Sequence, residues 1–284
     1  MIWEPHILSA AAGTAPGRPA CARKPASSAP QKTGRTGGRE SELMQSYLIH
    51  LIRHGVTEGN LRGQYIGSTD VPLAEEGKKR LLDLRAKGGY PTAKAYFSSP
   101  LLRCRQTLEL LYPGVQPIVL DGLRECDFGE WEGKTAEQLA KEDPHFAEWM
   151  ESGAQATPPG GESGAVFMHR VCESFEKLVE GLMRSGTTSA VVVTHGGVMM
   201  TILSAYGLPR ANFYDWITEN GCGYSLRITP GLWMRSMVAE VYATIPAGVN
   251  PQEGDGKFVI NLAREAAERA YGKKPEAEEQ KEGH

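Results

Sequence analysis

The sequence predicts an α/β protein: a three-layer α/β/α sandwich with a mostly parallel central sheet. Short apolar runs alternate with longer helical segments from Tyr47 to Tyr206, and such β–α units bury both faces of a parallel sheet under helices. Two of the runs end directly on histidine, at the strand carboxyl ends where these sheets collect ligands. With 284 residues, 40% of them hydrophobic, the chain can bury one substantial core.

Tyr47–Ile52 reads as a buried strand feeding the Arg53-His54-Gly55 corner. Glu75–Lys87 carries Leu81, Leu82 and Leu84 between basic residues, and Gly88-Gly89 stops it as a helix. Ala93–Phe97 is a second strand. Pro100 fits a helix's first turn ahead of Leu101–Leu111. Gln116–Leu120 is a third strand, and Ser163–Arg184 is a long helix ending at Gly186. Ser189–Thr194 is β-branched and too short for a helix, so it reads as a strand, followed by His195-Gly196-Gly197 and a helix through Tyr206.

Residues 1–43 are rich in Ala, Gly, Pro and Ser and hold no hydrophobic period. Such a segment cannot bury enough apolar surface to offset its ordering entropy, so a disordered extension is expected. A basic, acid-poor transit peptide is the alternative, but the frequent Pro and Gly break the amphipathic helix it uses; a start at Met44 is another. The folded domain is expected over 44–245, with 246–284 an appendage holding a short helix and a charged tail.

A net charge of −3 gives no reason to expect nucleic acid or an anionic membrane as partner. No apolar run approaches the roughly 20 residues that span a bilayer. The five cysteines form no CxxC pair and no metal-ligand spacing, which fits reduced thiols in a cytoplasmic protein. No metal or cofactor is expected, and no oligomeric state is legible.

Both histidine motifs, R-H-G at 53–55 and T-H-G-G at 194–197, follow apolar strands that a parallel sheet would bring to one rim. Arg103, after the Ser98-Ser99-Pro100 corner, reaches the same rim. A lone histidine at a strand end is more often structural than catalytic; the joint arrangement points further. Phosphoryl transfer needs donors for the equatorial oxygens, a nucleophile and an acid for the leaving oxygen. Arg53 and Arg103 suit the first task because a guanidinium is always charged and binds two oxygens at once. A neutral imidazole can attack phosphorus, and a second, protonated one can stabilise the transferring group. The helix after Gly196-Gly197 would turn its N–H groups toward the same anion.

These residues resemble the histidine phosphatase superfamily, in its phosphoglycerate mutase-like branch. Arg53 to Asn60 matches R-H-G-x-T-x-x-N, Gly63 to Leu73 matches G-x-x-x-G-x-x-D-x-P-L, and Ser98 to Arg103 matches S-S-P-L-x-R. Leu123 to Gly133 matches L-R-E-x-D-F-G-x-W-E-G, and Pro159 to Ser163 and Thr194 to Gly197 complete the set in order. The resemblance implies a phosphomonoester hydrolase working through a phosphohistidine on His54, with Arg53, Arg103 and His195 forming the phosphate pocket and Glu125 as general acid. It assigns substrate contact to Arg53, Asn60, Gln64, Arg103, His195 and Gly196. Gly59 stands where Trp is common and Ile66 where Gln is frequent, which bears on substrate contacts, not on the chemistry. Arg105, Asp127, Glu132, His50, His145 and His169 read as structural or solvated, and the thiols of Cys104 and Cys126 as unreactive.

A small-molecule phosphomonoester is the expected partner. The stretch 135–163 is short, acidic and aromatic, with Lys141 its one basic residue, so an apolar or neutral leaving group suits it better than a second phosphate. Trp216 to Gly223 and Asp143 to Trp149 resemble α-ribazole phosphatases of cobalamin assembly, which suggests α-ribazole 5′-phosphate. A phosphoglycerate mutase or sugar-phosphate phosphatase is the alternative, and a catalytically inactive phosphate-binding module is the alternative of another class.

Overall fold

The structure, a computed structural model, describes residues 45–151 and 157–249. Residues 1–43, and the expected appendage from 250 onward, lie outside the described residues.

Seven strands form one sheet: β1 (Tyr47–Arg53), β2 (Ala95–Ser98), β3 (Ile118–Val119), β4 (Ser189–Thr194), β5 (Gly207–Leu208), β6 (Gly223–Ile228) and β7 (Ala239–Ile245), in the order β3-β2-β4-β1-β6-β7-β5. The pairings β2–β3, β2–β4, β1–β4 and β5–β7 are parallel, whereas β6 runs antiparallel to both β1 and β7. The sheet is therefore mixed, with β6 the one reversed strand among those described. Eight α-helices are described: α1 (Glu58–Leu61), α2 (Glu75–Lys87), α3 (Leu102–Leu111), α4 (Ala136–Glu142), α5 (His145–Glu151), α6 (Gly164–Ser185), α7 (Gly196–Tyr206) and α8 (Pro230–Ser236).

Alternation along the strands makes the three layers. Ile49, Leu51, Ala190 and Val192 pack with α6, α7 and Trp233 of α8, and residues one step on, Ile52, Val191 and Val193, pack with α2 and α3. Successive side chains of a strand point to opposite faces, so one β-branched run serves two cores. Helix α6 follows its capping chemistry: the Ser163 side chain accepts from Val166 N, and Gly186 ends it at φ 66. Pro100 lies ahead of the N-cap Leu101, outside α3. Strand β3 is shorter than Gln116–Leu120 because it pairs only through Phe97–Ile118 and Ser98–Val119 at the sheet edge.

The stretch after Lys134 corrects an expectation. Its aromatics do not offer a lining for a ligand; Phe146 and Trp149 are buried against each other and against Trp131, with Tyr65 and Phe128 alongside, as a satellite core. Trp131 Nε1 donates to Asp143 Oδ2 at 2.8 Å, satisfying the indole as its ring is buried. Glu142 pairs with Lys134 and Glu137 with Lys141.

Candidate active site

The register of β1 on β4 brings the histidines together. Arg53 is opposite Thr194, so the next residues, His54 and His195, leave the sheet side by side, and their ring centroids are 5.3 Å apart. His54 N donates to Thr194 O at 2.9 Å and Ser99 N to Val193 O at 3.0 Å, which aligns the ends of β1, β4 and β2. Both rings are buried.

His54 Nδ1 is 2.6 Å from Gly55 O. A carbonyl can only accept, so Nδ1 carries the proton and Nε2 keeps its lone pair. Burial, then the Arg103 and Arg53 charges, hold the imidazole well below its usual range, against a smaller opposing effect of the Gly55 bond. His195 is lowered in the same way, by burial and then Arg103, His54 and Arg53, so the fold disfavours its protonated form. His195 Nε2 is 2.7 Å from Ser99 Oγ, and Cys104 Sγ lies 3.5 Å away.

The two arginines are held from behind. Arg103, 1% exposed, donates through Nη1 to Thr69 O at 2.8 Å and through Nη2 to Gly67 O at 2.7 Å. Arg53 Nη1 donates to Thr218 O at 2.5 Å. In each, the Nε is buried without a partner. A buried donor left unpaired is costly, so two orphaned guanidinium N–H groups, on arginines whose charges act on both imidazoles, suit an oxyanion.

Glu125 completes the cluster. Its Oε2 accepts from Gly197 N at 3.0 Å, in the first turn of α7, and its Oε1 from Cys126 N at 3.1 Å. Burial raises its pKa more than those bonds and the arginines lower it, the condition in which a carboxyl holds a proton for donation. A Cβ on Gly197 would lie 2.5 Å from Glu125 Oε1, so the close approach requires glycine there.

Of the other expected contacts, Asn60 caps α1 through Oδ1, which accepts from Thr57 N at 3.0 Å. Gln64 does not turn its amide nitrogen to a ligand; Nε2 donates to Gly133 O at 2.5 Å and so fastens two loops. Gly196 lies against Arg53, with its virtual Cβ 3.4 Å from Nε. The two departures from the family motif touch each other: a Cβ on Gly59 would meet Ile66 Cγ1 at 2.4 Å, so the isoleucine fills space that a large residue at 59 would need. Arg105, His145 and His169 are exposed, and Glu132 is structural, its carboxylate accepting from Gly67, Ser68 and Phe128 N–H groups. Burial pushes the Cys104 and Cys126 thiols up, away from thiolate reactivity.

Three residues outside the expected set support the site. Asn220 Nδ2 donates to His54 O at 2.9 Å, Thr107 Oγ1 accepts from Gly55 N and donates to Arg103 O, and Glu219 pairs with Arg80 behind Arg53. Asn220 precedes a Gly-Cys-Gly turn and Thr107 follows a recognisable corner; neither position has a spacing that points to the histidines. A cavity of about 250 Å³ adjoins the cluster, lined by Ser68, Arg124, Glu125, Asp127, Glu162 and Arg170 among others. It shares Glu125 with the cluster but neither histidine. Among the described residues no group of three or more His, Cys, Asp or Glu could hold a metal ion, and no helix is long and apolar enough to cross a membrane.

An α/β sheet with two histidines, two arginines and a carboxyl at one rim defines the class of a phosphate-handling enzyme. The model of the histidine phosphatase superfamily (branch 1) matches residues 49–239, and the chain belongs to that family. It is 30% identical over 187 residues to the adenosylcobalamin/α-ribazole phosphatase of Salmonella typhimurium, covering 64% of this chain and 91% of that protein. It is 33% identical over 181 residues to a 2,3-bisphosphoglycerate-dependent phosphoglycerate mutase of Rhizobium etli, covering 58% and 81%. The crystal structure of the α-ribazole phosphatase from Shigella flexneri aligns with a TM-score of 0.60 at 26% identity, over 72% of this chain and 99% of that one. The chain is accordingly a phosphatase.

Proposed function

We propose that this phosphatase hydrolyses a small phosphomonoester through a phosphohistidine on His54, with α-ribazole 5′-phosphate as the substrate to test first. The observation that carries the mechanism is the His54 Nδ1–Gly55 O bond, because it leaves Nε2 as the free lone pair in a ring that burial keeps neutral. Nε2 attacks phosphorus as the P–O bond to the leaving alcohol breaks. The departing oxygen takes the proton of Glu125, whose raised pKa suits an acid. The Nε donors of Arg53 and Arg103, with His195, hold the equatorial oxygens; burial and then the guanidinium charges hold the His195 pKa down, and the incoming dianion opposes both by favouring a cationic neighbour, so that His195 serves as a donor when phosphate is present. Water then attacks the phosphohistidine, Glu125 takes the water's proton, and the imidazole and inorganic phosphate are released.

Two observations support the substrate. The curated relative from Salmonella carries that activity in its name. The cavity beside Glu125 is lined by residues of both charge signs, which favours a neutral, hydroxylated leaving group over a second phosphate. Rapid quenching at alkaline pH should trap an acid-labile phosphoenzyme that His54→Ala abolishes together with turnover; an active His54→Ala protein would exclude the mechanism. In a phosphomonoester panel, α-ribazole 5′-phosphate should exceed 3-phosphoglycerate and fructose 2,6-bisphosphate in kcat/KM. Efficient mutase turnover primed by 2,3-bisphosphoglycerate would instead make the protein a mutase.

A further inference from the structure

We infer that Arg170 is a positioning residue for the general acid: with Glu162 it clamps the 122–127 backbone so that the Glu125 carboxyl keeps its seat on the first turn of α7. This deepens the reading above and rests on Glu125 being the acid.

Arg170 projects from α6, two turns beyond Glu162, which lies just ahead of that helix. Its guanidinium has five N–H donors, and the structure gives it five acceptors. Nε and Nη2 reach the Glu162 carboxylate at 3.0 and 2.6 Å. Nη1 donates to Gly122 O and Arg124 O, both at 3.0 Å, and Nη2 also to Glu125 O at 3.5 Å. Glu162 in turn donates its N–H to Asp127 O at 2.8 Å. The side chains of the pair are 21% and 14% exposed, so the bonds are partly shielded from water. Three carbonyls of the short 122–125 stretch thus converge on one planar group carried by a long, regular helix.

That convergence has a chemical reason. Residues 124–127 lie outside helix and strand, so no ladder fixes the Glu125 backbone. Its carboxylate must nevertheless stay within 3.0 Å of Gly197 N, on an element 72 residues further along the chain. Misplacement by an ångström can cost a proton-transfer group about 10²-fold. A lysine would keep the charge but supplies three donors from one point, so it cannot bridge a carboxylate and three carbonyls.

The test separates leaving groups. An alkyl phosphate needs a proton on its departing oxygen; p-nitrophenyl phosphate does not. Arg170→Gln and Arg170→Lys should each lower kcat/KM, which reports phosphorylation of His54, about tenfold or more for an alkyl phosphate and less than about threefold for p-nitrophenyl phosphate. Glu162→Gln should do the same more weakly. In a Glu125→Gln background, Arg170→Gln should change alkyl phosphate turnover less than about twofold, because a residue that acts through another is not additive with it. If Arg170→Gln fails to fold, Arg170→Lys and Glu162→Gln carry the same comparison. Equal loss of kcat/KM for both substrates, or full additivity with Glu125→Gln, would overturn the inference. Should Glu125→Gln itself show no leaving-group dependence, the acid assignment falls, and that result is distinct from a failure of Arg170 alone.

Discussion

At the scale of single residues, the site works by withholding protons. A histidine on the surface titrates near 6.5; His54 and His195 are pushed well below by burial and by guanidinium neighbours, while Glu125 is pushed up. In the proposed mechanism these opposite shifts separate the nucleophile from the acid at one pH. Glu125→Gln should therefore slow phosphorylation of His54 by about 10²-fold or more with alkyl phosphates and far less with p-nitrophenyl phosphate. The same change removes the base for water, so the activated substrate should give a burst followed by slow turnover in stopped-flow kinetics. Equal slowing without a burst would reassign Glu125 to holding α7.

At the scale of elements, two loops do what the strands cannot. The loop through Gly67 supplies the carbonyls that hold Arg103 and is itself held by Glu132. A Cβ on Gly67 would lie 1.7 Å from Cys126 O, so Gly67→Ala must part these loops. It should raise the inhibition constant for inorganic phosphate about tenfold or more, because Arg103 loses its support; inhibition unchanged within twofold would show that Arg103 does not bind phosphate. The satellite core is the other device. Trp149→Ala empties a buried aromatic site and should cost about 3 kcal/mol in denaturant unfolding. A cost under 1 kcal/mol would mean that α4 and α5 are stabilised elsewhere.

At the scale of the whole molecule, buried titratable groups couple folding to pH. Burial lowers His50 as well as His54 and His195. As pH falls below about 6.5, the unfolded chain takes up protons that these folded sites refuse, so stability drops. Glu125 has the opposite sign: its contribution is present at low pH and is lost as pH rises through its raised pKa. Three histidines outweigh one carboxyl. The unfolding free energy should fall from pH 7 to pH 5 by about 1.4 kcal/mol per pH unit for each net proton, and the melting temperature with it. His54→Asn should flatten that slope, and a slope unchanged by the substitution would show that His54 titrates normally in the fold.

Local pattern was enough for much of this protein. The runs at Tyr47–Ile52 and Ser189–Thr194 are apolar, β-branched and too short for helices, so their neighbours dictate strands with histidines at the ends. Caps such as Ser163 and Gly186 bound α6 by chemistry within a few residues. The family motifs, likewise, are contiguous and legible in order. What only the tertiary structure decided is non-local. Strand β6 takes its place from pairing with β1, and β7 from pairing with β6, in registers that no local signal encodes. Phe146 and Trp149 looked like a ligand surface because a sequence shows polarity but not which faces meet; packing turned them into core. Asn220, Thr107 and Arg170 serve the site from 166, 52 and 45 residues away along the chain. Their hydrogen bonds depend on distance and angle in space, and those exist only once the sheet has closed around them.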